Sequence, residues 1–258
     1  GHRRKMTDLA LLIDAARAAG ALSLDYQARG LTVAAKDDRS PVTDGDIAVN
    51  ALLKERLLGA RPGYGWLSEE TVDNPARLSK RRVFVIDPID GTRAYMNKTP
   101  WYSISVAVVE DGRPTAGVVF APALDELYSG EAGGTARVNG VAIGVGSART
   151  LEGCAMLADG RAIGAAAWPD MNVDQRNSIA LRLCLVAGDV FDAAVSVSTL
   201  HEWDLAAGDL IAGLAGAAVT DSQGEPLAYN QAVPKTRGLI CANERLHSLI
   251  LETLGDKS

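Results

Sequence analysis

Cysteine and histidine are scarce in this chain, and each shortage removes a class of function, while aromatics at 5% point to an interior of Ala, Val and Leu. Three cysteines (Cys154, Cys184, Cys241) with no C-x-x-C pair cannot build a disulfide scaffold or a four-cysteine zinc site. Scattered and odd in number, they read as core thiols in a reducing compartment, the cytoplasm. The three histidines share no H-x-x-x-H spacing, whereas zinc needs three or more N/S ligands in a recognisable array. One of them, His2, belongs to Gly1-His2, which reads as a tag remnant. Long apolar runs are missing too. The Gly/Ala-rich segment from Leu210 to Val219 is too short to span a bilayer. Leu9 to Ile13 is too short for a signal core and is cut by Asp14 and Arg17. A net charge of −6 argues against a non-specific nucleic-acid binder or a membrane-surface protein. There is no internal repeat and no low-complexity linker.

What remains is 47% hydrophobic, mostly Ala, Val and Leu, over 258 residues, enough for one large domain or two intimate lobes. Thr7 to about Ala28 has helical spacing, a polar loop covers Lys36 to Pro41, and Thr43 starts a second helix reaching about Leu58. Strands follow at Val83–Ile86, Ser103–Val109, Thr115–Phe120 and Glu126–Ser129, with a hairpin turn at Glu110 to Arg113. This pattern predicts an antiparallel sheet with one dry face. After about Val145 strands and helices alternate: a helix over Ser178 to Ala187, a strand over Phe191–Val195, a helix from Trp203 to Leu214, strands at Ala217–Thr220 and Leu239–Cys241, and a last helix capped by Asn243. The division is an N-terminal α+β half, 1–145, and a C-terminal α/β half, 146–258.

The most informative stretch is Val85-Ile86-Asp87-Pro88-Ile89-Asp90-Gly91-Thr92. A buried strand runs into two carboxylates three residues apart, stiffened by a proline and followed by a Gly-Thr step. Two such carboxylates suit a hard cation, and N–H groups beyond Gly91 suit an anion. The bland alternative is a tight turn in which both aspartates cap their own backbone. Glu69-Glu70 ends a short apolar run, and Asp204 stands where an Ala/Gly-rich helix begins, an ordinary place for Asp. Together these segments offer the four or five carboxylates that a pair of Mg²⁺ ions requires.

In these motifs the chain resembles the inositol monophosphatase superfamily, the Mg²⁺-dependent, lithium-sensitive phosphatases. The likeness rests on Glu69-Glu70, on Asp87 through Thr92 and on Trp203-Asp204-Leu205-Ala206-Ala207-Gly208, in the family's order, and extends from about Ser40 to the C-terminus. It implies a layered α-β-α-β-α sandwich, and water rather than a protein nucleophile. Glu69, Asp87 and the Ile89 carbonyl would hold a first Mg²⁺; Asp87, Asp90 and Asp204 a second; Glu70 has a place near a third, or stands exposed and idle. Glu69 and the Thr92 hydroxyl would orient the water, and Gly91, Thr92 and Arg93 would offer N–H groups to the phosphate. Asp46 follows Thr43 by three residues, as in a capping box, yet the family's V-T-x-x-D string has it hold the catalytic Thr; both roles together are expected. Lys36 matches a lysine of the family's mobile loop.

Substrate choice turns on fewer residues. Ser178 and Arg182 lie four apart, on one helix face. Relatives that cleave 3′(2′),5′-bisphosphate nucleotides (the CysQ type) carry a basic residue at the place of Arg182. Val197 stands where many inositol enzymes have a Glu, and Arg93-Ala94-Tyr95 after Gly-Thr also suits the nucleotidases. Asp125-Glu126-Leu127-Tyr128 and Asn139-Gly140 resemble the inositol branch instead. Adenosine 3′,5′-bisphosphate is the preferred reading, ahead of inositol 1-phosphate and histidinol phosphate, with a homodimer compatible with the resemblance. A haloacid-dehalogenase-type phosphatase is disfavoured because it needs D-x-D on an early strand. A purely regulatory binding protein on this fold is disfavoured by the intact ligand set.

Overall fold

The computed structural model describes residues 5–256, so Gly1-His2 lies outside the described residues. The chain opens with α1 (Asp8–Arg29), capped by the Thr7 hydroxyl, then a small hairpin of β1 (Val33–Ala35) and β2 (Pro41–Thr43), and α2 (Asp44–Ala60). β3 (Gly65–Ser68) and β4 (Arg82–Asp90) pair in parallel; α3 (Thr92–Met96) follows. β5 (Ser103–Glu110), β6 (Arg113–Ala121), β7 (Glu126–Glu131), β8 (Arg137–Val138) and β9 (Val141–Ala142) then extend an antiparallel meander, giving a seven-stranded sheet in the order β3-β4-β5-β6-β7-β8-β9.

The rest of the chain builds β10 (Ala155–Leu157), α4 (Gly160–Gly164), β11 (Asn172–Asp174), α5 (Ile179–Ala187), β12 (Ala193–His201), α6 (Glu202–Leu214), β13 (Ala218–Thr220), β14 (Lys235–Ala242) and α7 (Glu244–Gly255). Its five-stranded sheet is mixed, ordered β11-β10-β12-β14-β13. The helices stack as predicted by the sandwich: α1 and α2 outside the large sheet, α5 and α6 between the sheets, α4 and α7 outside the small one.

The strand pattern shows why. Along β5, Ile104, Val106 and Val108 pack toward α1 and α2 with Leu12, Ala16, Leu53 and Leu57, while Ala107 and Val109 pack toward α5 and α6 with Leu181, Leu185, Leu205 and Ile211. Both faces of the sheet are therefore dry, where one was expected, and a strand covered on both faces reads as a continuous apolar run. A third cluster joins Met156, Val195 and Ile240 to Leu246 and Ile250 of α7. Burying each such side chain contributes roughly 1.5–3 kcal/mol. The three cysteines are free and buried, and among the described residues no helix is long and apolar enough to cross a membrane.

α6 sits unusually close to its neighbours. A Cβ on Gly117 of β6 would lie 2.9 Å from the Ala207 Cα, and one on Gly208 would lie 2.6 Å from Leu183 Cδ1. The Ala206-Ala207-Gly208 run of the Trp203–Gly208 motif is thus a packing requirement. It lets the helix that starts at Glu202 approach the end of β4.

Candidate metal centre

β4 does not turn after Ile86; it continues as strand to Asp90, and its pairing with β5 slips. Asp87 pairs with Ser105 and Asp90 with Ser103, so three steps along β4 match two along β5. Side chains three apart on a regular strand leave on opposite faces. The bulge absorbs one residue and returns Asp90 to the side of Asp87, and Pro88 falls in that irregularity, where a strand tolerates it. Gly91 follows at φ +90°, and a Cβ there would lie 2.8 Å from the Trp101 carbonyl oxygen and 3.1 Å from the Ser178 nitrogen. Only glycine fits both the conformation and the space. It opens α3, whose first-turn N–H groups have no intrahelical acceptor.

Asp204 arrives from the other sheet. β12 ends at His201, whose N–H donates to Asp204 Oδ2 at 2.9 Å, fixing the carboxylate at the start of α6. Oxygens of Asp87, Asp90 and Asp204 lie within 4.8 Å of one another. With Glu69, Ile89, Gly91, Thr92, Arg93, Ser40, Pro41 and Asn177 they line a cavity of about 220 Å³.

Four carboxylates so placed do not suit an empty apolar pocket. Burial, then Glu69, Asp90 and Asp204, drive the Asp87 carboxyl well above the usual range. Burial and the charges of Asp90 and Glu69 do the same to Asp204. Burial raises Asp90 to about 6, against the opposing hydrogen bonds from Ser178 and Ala180. Asp87 Oδ1 is buried with no hydrogen-bond partner, which ordinarily costs about 1–3 kcal/mol or more for a charged group. An oxygen-only donor set with one orphaned carboxylate oxygen fits a hard divalent cation such as Mg²⁺.

Around the cluster the supporting bonds are specific. Asp46 is fully buried; its Oδ2 accepts from the Thr43 N–H (2.9 Å) and hydroxyl (2.6 Å), and its Oδ1 accepts the Thr92 hydroxyl at 2.9 Å. It caps α2 and holds Thr92 at once. Burial raises its pKa, the Thr43 bonds opposing. Glu70, largely buried, accepts from Lys36 Nζ at 2.7 Å, and Glu69 accepts from the same amine at 3.3 Å. Burial alone would lower the Lys36 pKa, but the two glutamates outweigh it and the net shift is upward. Burial likewise raises Glu70.

Ser178 and Arg182 sit differently from a shared helix face. Ser178 caps α5 and is fully buried; its hydroxyl donates to Asp90 Oδ2 at 2.7 Å, accepts from Leu181 N–H, and lies 2.9 Å from the Ser103 hydroxyl. The Ala180 N–H donates to the same Asp90 oxygen at 2.7 Å. Ser178 is therefore bound to the Oδ2 of Asp90 and is closed to solvent, because a capping residue points back into its own helix start. Arg182 is 7% exposed. Its Nε donates to the Arg176 carbonyl at 2.5 Å, and its charge is felt by Asp90, Asp159 and Asp204. Among the described residues no carboxylate comes within 4.0 Å of its guanidinium. Asn177 lines the cavity and Ser103 backs Ser178, and neither stood out in the sequence, since lone polar residues beside strands and caps carry no pattern.

A buried acid cluster at the end of a bulged strand, with an Asp-held threonine beside it, is an oxygen-only set able to hold a divalent cation. The model of the inositol monophosphatase family matches residues 4–258. The chain is 30% identical over 239 residues to a 3′(2′),5′-bisphosphate nucleotidase CysQ of Aggregatibacter actinomycetemcomitans, covering 85% of this chain and 86% of the relative. It is 30% identical over 253 residues to an inositol-1-monophosphatase of Rhizobium meliloti, covering 92% of each. The extragenic suppressor protein suhB from Bartonella henselae superposes with a TM-score of 0.84 at 27% identity, covering 96% of this chain and 98% of that one. The chain belongs to the inositol monophosphatase family and is a phosphoric monoester hydrolase.

Proposed function

We propose that the protein is a cytoplasmic Mg²⁺-dependent phosphatase that removes one phosphate from a small bisphosphorylated nucleotide, adenosine 3′,5′-bisphosphate or a close analogue. The observation that carries the reading is Arg182: a buried guanidinium acted on by the charges of Asp90, Asp159 and Asp204, partnered by a carbonyl and by no carboxylate within 4.0 Å. A cation so buried calls for an anion, and a second phosphate supplies one through a charge-assisted bond. The likeness to a CysQ relative supports it, and three free buried thiols support the compartment. The equal identity to an inositol-1-monophosphatase keeps inositol 1-phosphate as the second reading.

In this account Glu69, Asp87 and the Ile89 carbonyl would hold one Mg²⁺, and Asp87, Asp90 and Asp204 would hold another, with Glu70, paired with Lys36, near a third. When bound, these ions neutralise the phosphate dianion and acidify a water. Thr92, whose hydroxyl donates to Asp46, would accept a hydrogen bond from that water and, with Glu69, align it. The N–H groups of Gly91, Thr92 and Arg93 bind phosphate oxygens, and Ser178 keeps Asp90 turned toward the cluster. The two halves, divided near residue 145, then meet at the site, one bringing Glu69, Asp87 and Asp90, the other Asp204.

The test is phosphate release from adenosine 3′,5′-bisphosphate, inositol 1-phosphate, fructose 1,6-bisphosphate and histidinol phosphate, each with Mg²⁺ and with EDTA. The reading expects Mg²⁺-dependent release with the highest kcat/KM on the nucleotide. Higher kcat/KM on inositol 1-phosphate would overturn it. Arg182→Ala should lower kcat/KM on the bisphosphate by about 10- to 150-fold, the worth of one charge-assisted bond, and should cost AMP far less.

A further inference from the structure

Directly beside Asp204 the two side chains that precede it and flank Glu202 form a flat stack. The rings of His201 and Trp203 are nearly parallel, 5° apart, with centroids 4.5 Å from each other. The His201 side chain is 39% exposed, and its Nδ1 lies 3.9 Å from Asp204 Oδ2. The hydrogen bond that holds the Asp204 carboxylate comes from the His201 backbone N–H and not from the imidazole. Glu202, between them, faces the other way and accepts from the N–H groups of Asn230 and Gln231. The first turn of α6 is anchored through Glu202 as well as through the cap at His201, which leaves the Trp203 ring and the outer face of the imidazole outside the supporting bonds.

We infer that the His201–Trp203 stack is the platform on which the base of a nucleotide substrate lies, an inference that rests on the bisphosphate-nucleotide reading above. A polyol needs hydrogen-bond partners around its rim and gains little from a ring face. A purine has a face of its own, and stacking on an aromatic side chain holds it without regard to its edge groups. The stack borders the carboxylate cluster, so a phosphate at the cluster leaves the base within reach of it. His201 is then a specificity-determining residue, acting on the base and not on the phosphorus.

The experiment compares wild type, His201→Ala and His201→Phe on adenosine 3′,5′-bisphosphate and on ribose 3,5-bisphosphate, which keeps both phosphates and lacks the base. In His201→Ala the nucleotide-to-abasic ratio of kcat/KM should fall about tenfold, through KM for the nucleotide and not through kcat. His201→Phe, which restores a flat ring, should recover most of that ratio. An unchanged ratio in His201→Ala, with the nucleotide still a good wild-type substrate, would overturn the platform and leave the nucleotide reading standing. A fall in kcat common to both substrates would overturn it as well, since that is the mark of a disturbed Asp204. A wild-type enzyme that ignores the nucleotide would remove both.

Discussion

The Thr92 hydroxyl donates to Asp46 Oδ1 at 2.9 Å, across 46 positions of chain. One side of Asp46 serves the cap of α2 and the other serves the residue after Gly91, so a helix start on the outer layer fixes an orienting group on the inner one. Thr92→Val removes that hydroxyl and keeps the shape. Its kcat should fall about 10²- to 10⁴-fold, the scale of a lost proton-handling group, with KM little changed. It should also cost roughly 1–3 kcal/mol of stability, because Asp46 Oδ1 is left buried without its donor. Steady-state kinetics and denaturant unfolding check both halves; a variant within fivefold of wild-type kcat would remove Thr92 from the mechanism.

Ser178 supplies one of the two hydrogen bonds accepted by Asp90 Oδ2, which fix the orientation of that carboxylate in the cluster. Partners of metal ligands typically contribute 10- to 100-fold in metal affinity. Ser178→Ala should therefore raise the Mg²⁺ concentration for half-maximal activity by about tenfold, and Ser178→Thr should raise it less. Calorimetric Mg²⁺ titration gives the same comparison without turnover. Equal Mg²⁺ affinity in Ser178→Ala would show that Ala180 alone orients Asp90.

Lithium should inhibit with Mg²⁺ present. Li⁺ is close to Mg²⁺ in size but carries half its charge, so it occupies an all-oxygen site while supporting a departing alkoxide poorly. A lithium titration into the tens of millimolar, with ionic strength held by sodium or potassium, should show progressive loss. A flat titration would contradict it.

Asp209 gives a pH dependence separate from the metal cluster. Its Oδ2 accepts the Tyr229 hydroxyl at 2.7 Å, and burial raises its pKa to about 6. The folded value lies above the unfolded one, so the folded chain holds the proton more tightly. Its contribution is fully present at pH below about 4 and is lost as pH rises through about 6. Asp209→Asn keeps an acceptor for Tyr229 and removes the charge. Relative to wild type it should gain stability between pH 5 and 7.5, on the order of 1–3 kcal/mol. Thermal denaturation at the two pH values measures this; a difference that does not change with pH would refute it.

Most of the site's chemistry was legible in the residues, while much of its geometry was not. Asp87, Asp90 and Asp204 could be grouped because carboxylates near a strand end and a helix start announce themselves by type. The bulge that puts Asp87 and Asp90 on one side could not be read, since it is a matter of register with β5 and Asp87-Pro88-Ile89-Asp90 equally suits a turn. β3 passed as a short apolar run, although it ends where Glu69 begins, because four residues carry no period of their own. β10 and β11, of three residues each, were missed for the same reason and are held by their neighbours in the small sheet. The dry second face of the large sheet escaped the pattern because Ala107 and Ala121 are too small to stand out. Ser178 shows the converse: its spacing to Arg182 suggested a shared face, and capping geometry gave it to Asp90.

The central claim is that the carboxylate cluster holds the cations that drive phosphate release, and Asp87→Asn tests it most directly. Asp87 is buried, feels Glu69, Asp90 and Asp204, and keeps one oxygen without a donor. Phosphate release should be measured at saturating Mg²⁺ for wild type and Asp87→Asn, with unfolding of both in EDTA. The account predicts a rate at least about 10³-fold lower, several kcal/mol of lost charge stabilisation, in a variant as stable as wild type or more so once metal is removed. A variant that retains a tenth of wild-type kcat, or that loses activity only because it no longer folds in EDTA, would contradict it.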